Sequence, residues 1–391
     1  MAGTSETVQH GLSEHSHGFG VPIQTRSERV KSTNLSDFAE ISTREEQWRY
    51  IGSDELGGLD KPGLDEFSGD ITATTPEGVE TSWIESNHAL FGAAGTPEDR
   101  VSAAGWEAAK AAYLISVPAN AAPSEPASIE INSLVSDPAA LHVVVHAAKG
   151  SSSTVVLQHT GDAVLSENIE VVVEDEATLT LVSIQEWNAK SIHSSAQFSK
   201  LGRNSKFKHI VVSLGGSVVR VTPSAYFDAP GGDVELYGLY FADAGQYLEH
   251  RIFVDHSQPN CKSRVTYKGA LQGQKAHTVW VGDVLIRAAA EGTDTYELNR
   301  NLLLTDGARA DSVPNLEIET GQIQGAGHAS ASGRFDDEQL FYLQARGIDE
   351  LEARRLVVRG FLMEIVQQIG ITELEDRLAT AIEDELEGAS N

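Results

Sequence analysis

Gly327-His328-Ala329-Ser330-Ala331-Ser332-Gly333-Arg334-Phe335-Asp336-Asp337-Glu338-Gln339-Leu340-Phe341-Tyr342-Leu343, followed by Arg346-Gly347-Ile348, is where this chain changes its period. Upstream of Arg334 the residues are small and strand-like and carry one histidine. From Asp337 onward an acidic start leads into a helical pattern. A chain that switches from strands to helices at Arg334 to Asp337 houses two different kinds of element.

Working upstream, Ile129 to about Gly333 reads as a long series of short β runs. They are Leu141–His146, Thr154–Gln158, Ile169–Val173, Thr178–Gln185, Phe207–Leu214, Val218–Val221, Val234–Phe241, Tyr247–Val254, Arg264–Tyr267, Thr278–Leu285, Thr295–Leu304 and Asn315–Ile318. Val, Ile, Thr, Tyr and Leu fill them, and Gly, Asn and Asp separate them. Two architectures suit this pattern, a β-sandwich or barrel and a parallel β-solenoid. So many strands exceed a usual sandwich, and few Asn-Gly or Asp-Gly hairpin turns appear. Both points favour a solenoid with roughly 20 or more residues per turn.

Working downstream, residues 337–388 read as three helices. Gly347 is a natural terminator of the first. Asp349 with Glu352, and Thr372 with Glu375, have capping-box spacing for the second and third. In the second helix, Leu356, Val357, Val358, Phe361, Leu362, Met363, Ile365, Val366 and Ile369 cover almost the whole circumference. A helix apolar all round is buried, either on a partner protein or on this chain's own N-terminal helices.

The N-terminal third is less periodic. Residues 1 to about 35 are polar and read as a mobile tail, in which His10, His15 and His17 are incidental. Residues 36 to about 115 read as helical and loop-rich, with helix starts at Ser36 and Ser42 and a further helix over Ser102–Leu114. Pro118–Pro126 reads as a linker. The expected division is a tail over 1–35, an N-terminal helical region and linker over 36–125, a β core over 126–335 and a C-terminal helical domain over 336–391.

Composition narrows the function classes. The chain has 391 residues, enough for one large or two ordinary domains. Its formal net charge of -28 disfavours nucleic acid, whose binding needs a Lys/Arg footprint. No apolar run is long enough to span a membrane, and no signal-peptide pattern opens the chain, so a cytoplasmic protein is expected. The single cysteine, Cys261, excludes an internal disulfide and any multi-thiolate metal site built from this chain alone.

The sequence carries no GxxxxGK[ST], HExxH, GxSxG or CxxC motif, so a catalytic role is not expected. His142 with His146, and His250 with His256, each share a strand face, which suits either metal ligation or satisfied core positions. Cys261 lies beside Lys262, a setting that can lower a thiol pKa. His328 stands among small neighbours, with room for a neutral imidazole nitrogen to ligate iron.

The Gly327–Ile348 stretch closely resembles the SufB/SufD family of iron–sulfur cluster assembly proteins. Glu46-Gln47-Trp48-Arg49-Tyr50 resembles that family's N-terminal Glu-x-Trp-Arg-Tyr motif, and Asp255-His256-Ser257-Gln258-Pro259-Asn260 its His-x-x-Pro turn. Leu302-Leu303-Leu304 with Ala310–Glu317 resembles its last core strands. The likeness covers the chain beyond the first ~30 residues, the part whose composition already marks it as a tail. It implies a right-handed parallel β-helix flanked by helical regions, in a complex of one SufB, one SufD and two copies of the ATPase SufC.

SufB-like chains carry scaffold thiols in and near the last core strands. Here Ile318 follows Leu316-Glu317, and no cysteine lies near Leu201, so the chain reads as SufD-like. Many SufD chains have a cysteine two residues before the motif histidine; Ala326 stands there instead. The resemblance therefore implies that His328 lies at a SufB–SufD interface, with His256 and Cys261 as secondary candidates. It implies a transient iron or iron–sulfur cluster shared with the SufB-like partner and none held permanently. No residue pattern calls for a flavin. The C-terminal helices, with Phe341, Tyr342, Arg346, Leu356, Phe361 and Ile365, are expected to dock the SufC-like ATPase, and a homodimer is compatible with the isolated chain. Rival readings are a carbohydrate-active β-helix enzyme, which needs a groove of paired carboxylates, and a self-associating structural β-helix.

Overall fold

The computed structural model describes residues 29–334 and 337–388. The expected histidines at 10, 15 and 17 lie outside the described residues. The strands are β1 (Asp65–Glu66), β2 (Asp70–Thr74), β3 (Glu80–Glu85), β4 (Ala111–Val117), β5 (Ala127–Ala147), β6 (Ser152–Val173), β7 (Thr178–Trp187), β8 (Ile192–Leu201) and β9 (Lys206–Ser213). They continue as β10 (Val218–Phe227), β11 (Asp233–Ala242), β12 (Tyr247–His256), β13 (Lys262–Leu271), β14 (His277–Ile286), β15 (Asp294–Leu303), β16 (Arg309–Ile318) and β17 (Gly325–Gly333). The helices are α1 (Arg100–Ala108), α2 (Asp337–Ala345), α3 (Glu350–Val366) and α4 (Thr372–Gly388).

The core is a parallel β-solenoid of about eight turns. Two sheets grow side by side from the long strands β5 and β6. On one, the second half of β6 pairs with β8, then β10, β12, β14 and β16 follow in parallel register. On the other, the first half of β6 pairs with β7, then β9, β11, β13, β15 and β17. The register steps from Val218 to Tyr247 to His277 to Arg309, about 30 residues per turn.

Strand alternation explains the packing. Val155, Leu157, Leu179, Leu181, Leu236 and Val265 point into the solenoid and form its inner core. Their neighbours Val156, Val182, Ile184, Val212, Leu239 and Phe241 point outward and are also buried, against α3 and α4. The other sheet shows its outer side chains Val218, Tyr247, Val279 and Val281 to Leu35, Trp48, Ile51, Leu56 and Leu59 of the N-terminal segment. Each sheet is therefore covered on both faces, which is why its strands read as near-continuous apolar runs.

One corner of the solenoid is a column of left-handed residues. Asn204 (φ 50°), Gly231 (φ 82°), Asn260 (φ 58°) and Gly292 (φ 72°) occupy it on successive rungs. The amide of each hydrogen-bonds to a carbonyl on the next rung, as Asn204 N–H does to Pro230 O (3.1 Å) and Asn260 N–H to Glu291 O (2.8 Å). A Cβ on Gly231 would lie 2.2 Å from Asn204 Oδ1, so the alternation of Asn and Gly is sterically required.

All the strands expected from the sequence fall on observed ones; β8, and β1 to β4 in the N-terminal third, are strands that the sequence reading did not expect. The N-terminal third departs from expectation. Ser36 and Ser42 lead only into short 3-10 turns at Leu35–Asp37 and Glu46–Trp48. The helix expected over Ser102–Leu114 stops at Ala108, and Ala111–Val117 becomes β4, paired in parallel with β5. Its alanine-led start suits a helix, and pairing with β5 overrides that local propensity. The core thus begins before the Pro118–Pro126 connection. Residues 29–35, read with the tail, are anchored: Arg29 bonds Glu98 at 2.9 Å and Asp283 at 2.7 Å, and Leu35 is buried. Among the described residues no helix is long and apolar enough to cross a membrane.

Candidate functional site at the open end of the solenoid

The last rung differs from all the others. The inner rungs are buried on both sides, whereas β16 is half-buried over most of its length and β17 is half-buried or exposed throughout. Each pairs through one edge only, β16 with β14 and β17 with β15. Their outer edges leave backbone N–H and C=O groups free to accept a further strand. Tyr296 and Ile318, both exposed, add apolar surface on these last two rungs.

His328 sits on β17 and is exposed. Its register partner on β15 is Glu297. Register-paired residues of parallel strands point to the same face, about 4.8 Å apart along the stack. That face is the solenoid interior, because Thr295, Asn299 and Asn301 on the same strand are buried in it. The histidine therefore lies over the column of inward-facing side chains where the column meets the open end.

Glu297 is 1% exposed, and neither carboxyl oxygen has a hydrogen-bond partner among the described residues. Burial, and then the negative charge of Asp283, push its pKa up to about 8, so near neutrality it is largely protonated. Gly282 opposite it makes the room: a Cβ there would come within 2.7 Å of Glu297 Oε1 and 2.5 Å of the Trp280 ring. An unsatisfied buried carboxyl is costly and marks a place where structure has yielded to another demand.

Beside this pair runs a polar network that ends on the same rung. The Tyr240 hydroxyl donates to Asn301 Oδ1 (2.7 Å) and accepts from Asn299 Nδ2 (2.8 Å). Asn301 Nδ2 donates to Asn299 Oδ1 (2.8 Å) and to Ser332 Oγ on β17 (3.0 Å). Ser312 on β16 donates to Asn299 Oδ1 (2.7 Å). These side-chain bonds tie β15 to β16 and β17. With one exposed imidazole, one buried carboxyl and no thiolate, the site can offer nitrogen and oxygen ligands but needs sulfur from elsewhere.

The secondary candidates lie elsewhere. His256 is wholly buried, donates to or accepts from Ser263 Oγ at 2.9 Å and packs on Phe227; burial lowers its pKa to about 3. Cys261 follows the left-handed corner at Asn260 and is buried, with its thiol near Ala229 O and Pro259 O. Burial raises its pKa, so the expectation of a lowered one from Lys262 is corrected: desolvation outweighs a lysine that points to solvent. His142 and His146 do share a face, but each is taken by a glutamate of the neighbouring strand, Glu170 at 2.8 Å and Glu174 at 2.9 Å. His250 is buried and bonds Ser213 Oγ at 3.0 Å.

The helix residues divide into two groups. Ile365 is buried and Phe361 half-buried on this chain's own sheet, together with Val358, Leu362 and Val366. Lys268 Nζ ties them down, bonding Phe361 O at 3.1 Å and Glu364 at 2.5 Å. Within this chain, the buried face of α3 thus packs on α4 and the outer face of the solenoid, not on the N-terminal segment. Phe341, Tyr342, Leu351 and Leu356 remain exposed. Exposed Arg346 stacks over the Tyr342 ring at 4.5 Å.

The model of the domain described as "SUF system FeS cluster assembly, SufBD core domain" matches residues 131–361, which span the solenoid, the open rung and most of α3. The chain belongs to the SufBD family. A SufBD family iron–sulfur cluster assembly protein of Mycobacterium tuberculosis is 48% identical over 371 residues, 93% of each chain. One from Mycobacterium leprae is 47% identical over 365 residues, 91% of this chain and 93% of the relative. The iron–sulfur cluster assembly protein SufD of Escherichia coli is 28% identical over 177 residues, 45% of this chain and 41% of the relative. In this SufBD protein the residue that sequence reading missed is Glu297. The alternation Thr295, Glu297, Asn299, Asn301 puts it on one face with polar neighbours, and an acid inside a solenoid is the signal that was available.

Proposed function

We propose that this SufBD protein is a SufD-like scaffold subunit of iron–sulfur cluster assembly, working in the cytoplasm and catalysing no reaction itself. The observation that supports the reading most is the uncovered last rung with His328 over the buried Glu297. A solenoid end left open exposes part of its core, and a second solenoid bearing thiolates would both cover it and supply the missing sulfur. The partner is a SufB-like subunit. Iron and sulfide, the cargo, are held between its thiolates and His328, and Glu297 accepts or releases a proton as charge builds beside it.

The second contact is with a SufC-like ATPase, through the exposed face of Phe341, Tyr342, Arg346 and Leu356. Because α3 and α4 are packed on the outer face of one sheet, a push on α2 and α3 is passed to β11 and β13 through Lys268 and the apolar contacts. That lever opens the rung interface to iron and sulfide. Co-expression with SufB-like and SufC-like proteins tests the assignment. A stable complex that is lost when Phe341 and Leu356 are both changed to serine supports it. Retention of the ATPase by that variant contradicts the docking face.

A further inference from the structure

Deep in the solenoid, far along the chain from the open rung, three side chains converge whose chemistry the assembly role does not use. His159 lies on the first half of β6, Glu167 on its second half and His193 on β8. All three are wholly buried. His159 Nε2 is 2.9 Å from Glu167 Oε1, and His193 Nε2 is 3.2 Å from Glu167 Oε2. Among the described residues this is the one group of three potential ligands whose atoms all lie within 4.8 Å of one another. The other histidine–carboxylate contacts, such as His142–Glu170 and His277–Asp311, bring together two donors each.

We propose that His159, Glu167 and His193 form an internal site for one divalent transition-metal ion, Zn²⁺ or Fe²⁺, which pins the two sheets together. The argument starts from proton accounting. His159 Nδ1 is 3.0 Å from the carbonyl of Ile184, which only accepts, so Nδ1 carries a proton. In the neutral ring Nε2 is then a bare lone pair, and it faces a carboxylate oxygen. Two acceptors at that distance need either a second proton on the ring, which the facing carboxylate favours, or a metal cation between them. A backbone carbonyl on the far nitrogen is also the arrangement that orients metal-bound imidazoles.

The surroundings are built for the same purpose. The Ser195 hydroxyl donates to Glu167 Oε2 at 2.8 Å, and Gln197 Nε2 donates to Ser195 Oγ at 3.0 Å, so the carboxylate is held from behind. Trp187 packs against both imidazoles, at 5.5 Å and 5.4 Å between ring centres, and keeps the site dry. His193 presents its Nε2 to the same carboxylate at 3.2 Å, and its Nδ1 has no hydrogen-bond partner among the described residues, so this ring is oriented by packing against Trp187 rather than by a bond from behind. Ligands about 2.0–2.1 Å from a tetrahedral Zn²⁺ lie about 3.4 Å apart, so the contacts of 2.9 Å and 3.2 Å would open slightly to admit the ion. Two imidazoles and a carboxylate select borderline metals over Mg²⁺ or Ca²⁺. His159 precedes the solenoid corner at Gly161 and Glu167 follows it, so one ion would clamp both sheets across a single turn.

A buried ion enters as the solenoid closes. The test is therefore to unfold the full chain with a chelator and refold it with and without Co²⁺ as the spectroscopic probe. The expected result is one equivalent retained after desalting, visible d–d bands, paramagnetic shifts of the His159 and His193 ring signals, and a higher melting temperature than the metal-free refold. Glu167→Gln should lose the equivalent. A chain with His10, His15, His17 and His328 changed to alanine should keep it, which separates this ion from tail binding and from the cargo site. If Glu167→Gln does not fold, the wild-type ring signals still decide. Refolded wild type without bound metal, and with His159 protonated on both nitrogens, would make the cluster a plain imidazolium–carboxylate pair and overturn the proposal.

Discussion

At the scale of single residues, the solenoid interior decides what each titratable group does. His209 is buried, its Nε2 has no partner, and burial lowers its pKa to about 3, against about 6.5 in an unfolded chain. Between those values the unfolded chain binds the extra proton, so stability is full above about pH 6.5 and falls as pH drops toward 3. His209→Leu should move the acid-unfolding midpoint, followed by circular dichroism, to lower pH; an unchanged midpoint would mean another group sets it. Cys261 makes the opposite kind of prediction. Its buried, pKa-raised thiol should resist iodoacetamide until the fold opens, and Cys261→Ala should leave cluster assembly unchanged. Fast labelling of native protein would show a reactive thiol. Glu297 is the residue whose role sequence could not show. Its alternation with Thr295 and Asn299 was visible, but its lack of a hydrogen-bond partner among the described residues is a fact of three dimensions.

At the scale of elements, the strands were legible because both faces of each sheet are covered, which wrote long runs of Val, Ile and Leu into the chain. β8 was hidden for a physical reason. Ile192-His193-Ser194-Ser195-Ala196-Gln197-Phe198 carries small and polar residues that serve buried hydrogen bonds, not apolar packing. β4 was hidden because its alanine-led sequence suits a helix until β5 pairs with it. The corners were half legible: Asn and Gly mark turns, but only the stack shows that each must be left-handed. Gly231→Ala sets a Cβ against Asn204 at a φ of 82°, and should cost about 1–2 kcal/mol or more in denaturant unfolding. Leu362, wholly buried between α3 and the sheet, should cost about 2–4 kcal/mol when changed to alanine. A cost near zero would mean that α3 does not rest on the sheet as described.

At the scale of the whole molecule, one end of the solenoid is finished and the other is not. The start is closed by β2, which runs antiparallel to β5, and by β3, which runs antiparallel to β4. The far end stops at an open rung with a histidine over a buried acid. The change of period at Arg334 to Asp337 is thus where that rung gives way to the helices that return along the outer face. Sequence alone placed His328 there through the family likeness and through the lack of any cysteine but Cys261. It left the cover of α3 open, because an apolar circumference says that a helix is buried and not by what; within the chain the cover is α4 and the sheet, not the N-terminal segment. On the proposed function, His328 holds cargo at a shared interface while contributing nothing to the fold. The most direct test is anaerobic reconstitution of the complex formed with SufB-like and SufC-like partners, comparing wild type with His328→Ala. The expected result is an intact complex of unchanged melting temperature whose iron–sulfur absorbance is lost. Full cluster absorbance in the variant complex would contradict that role.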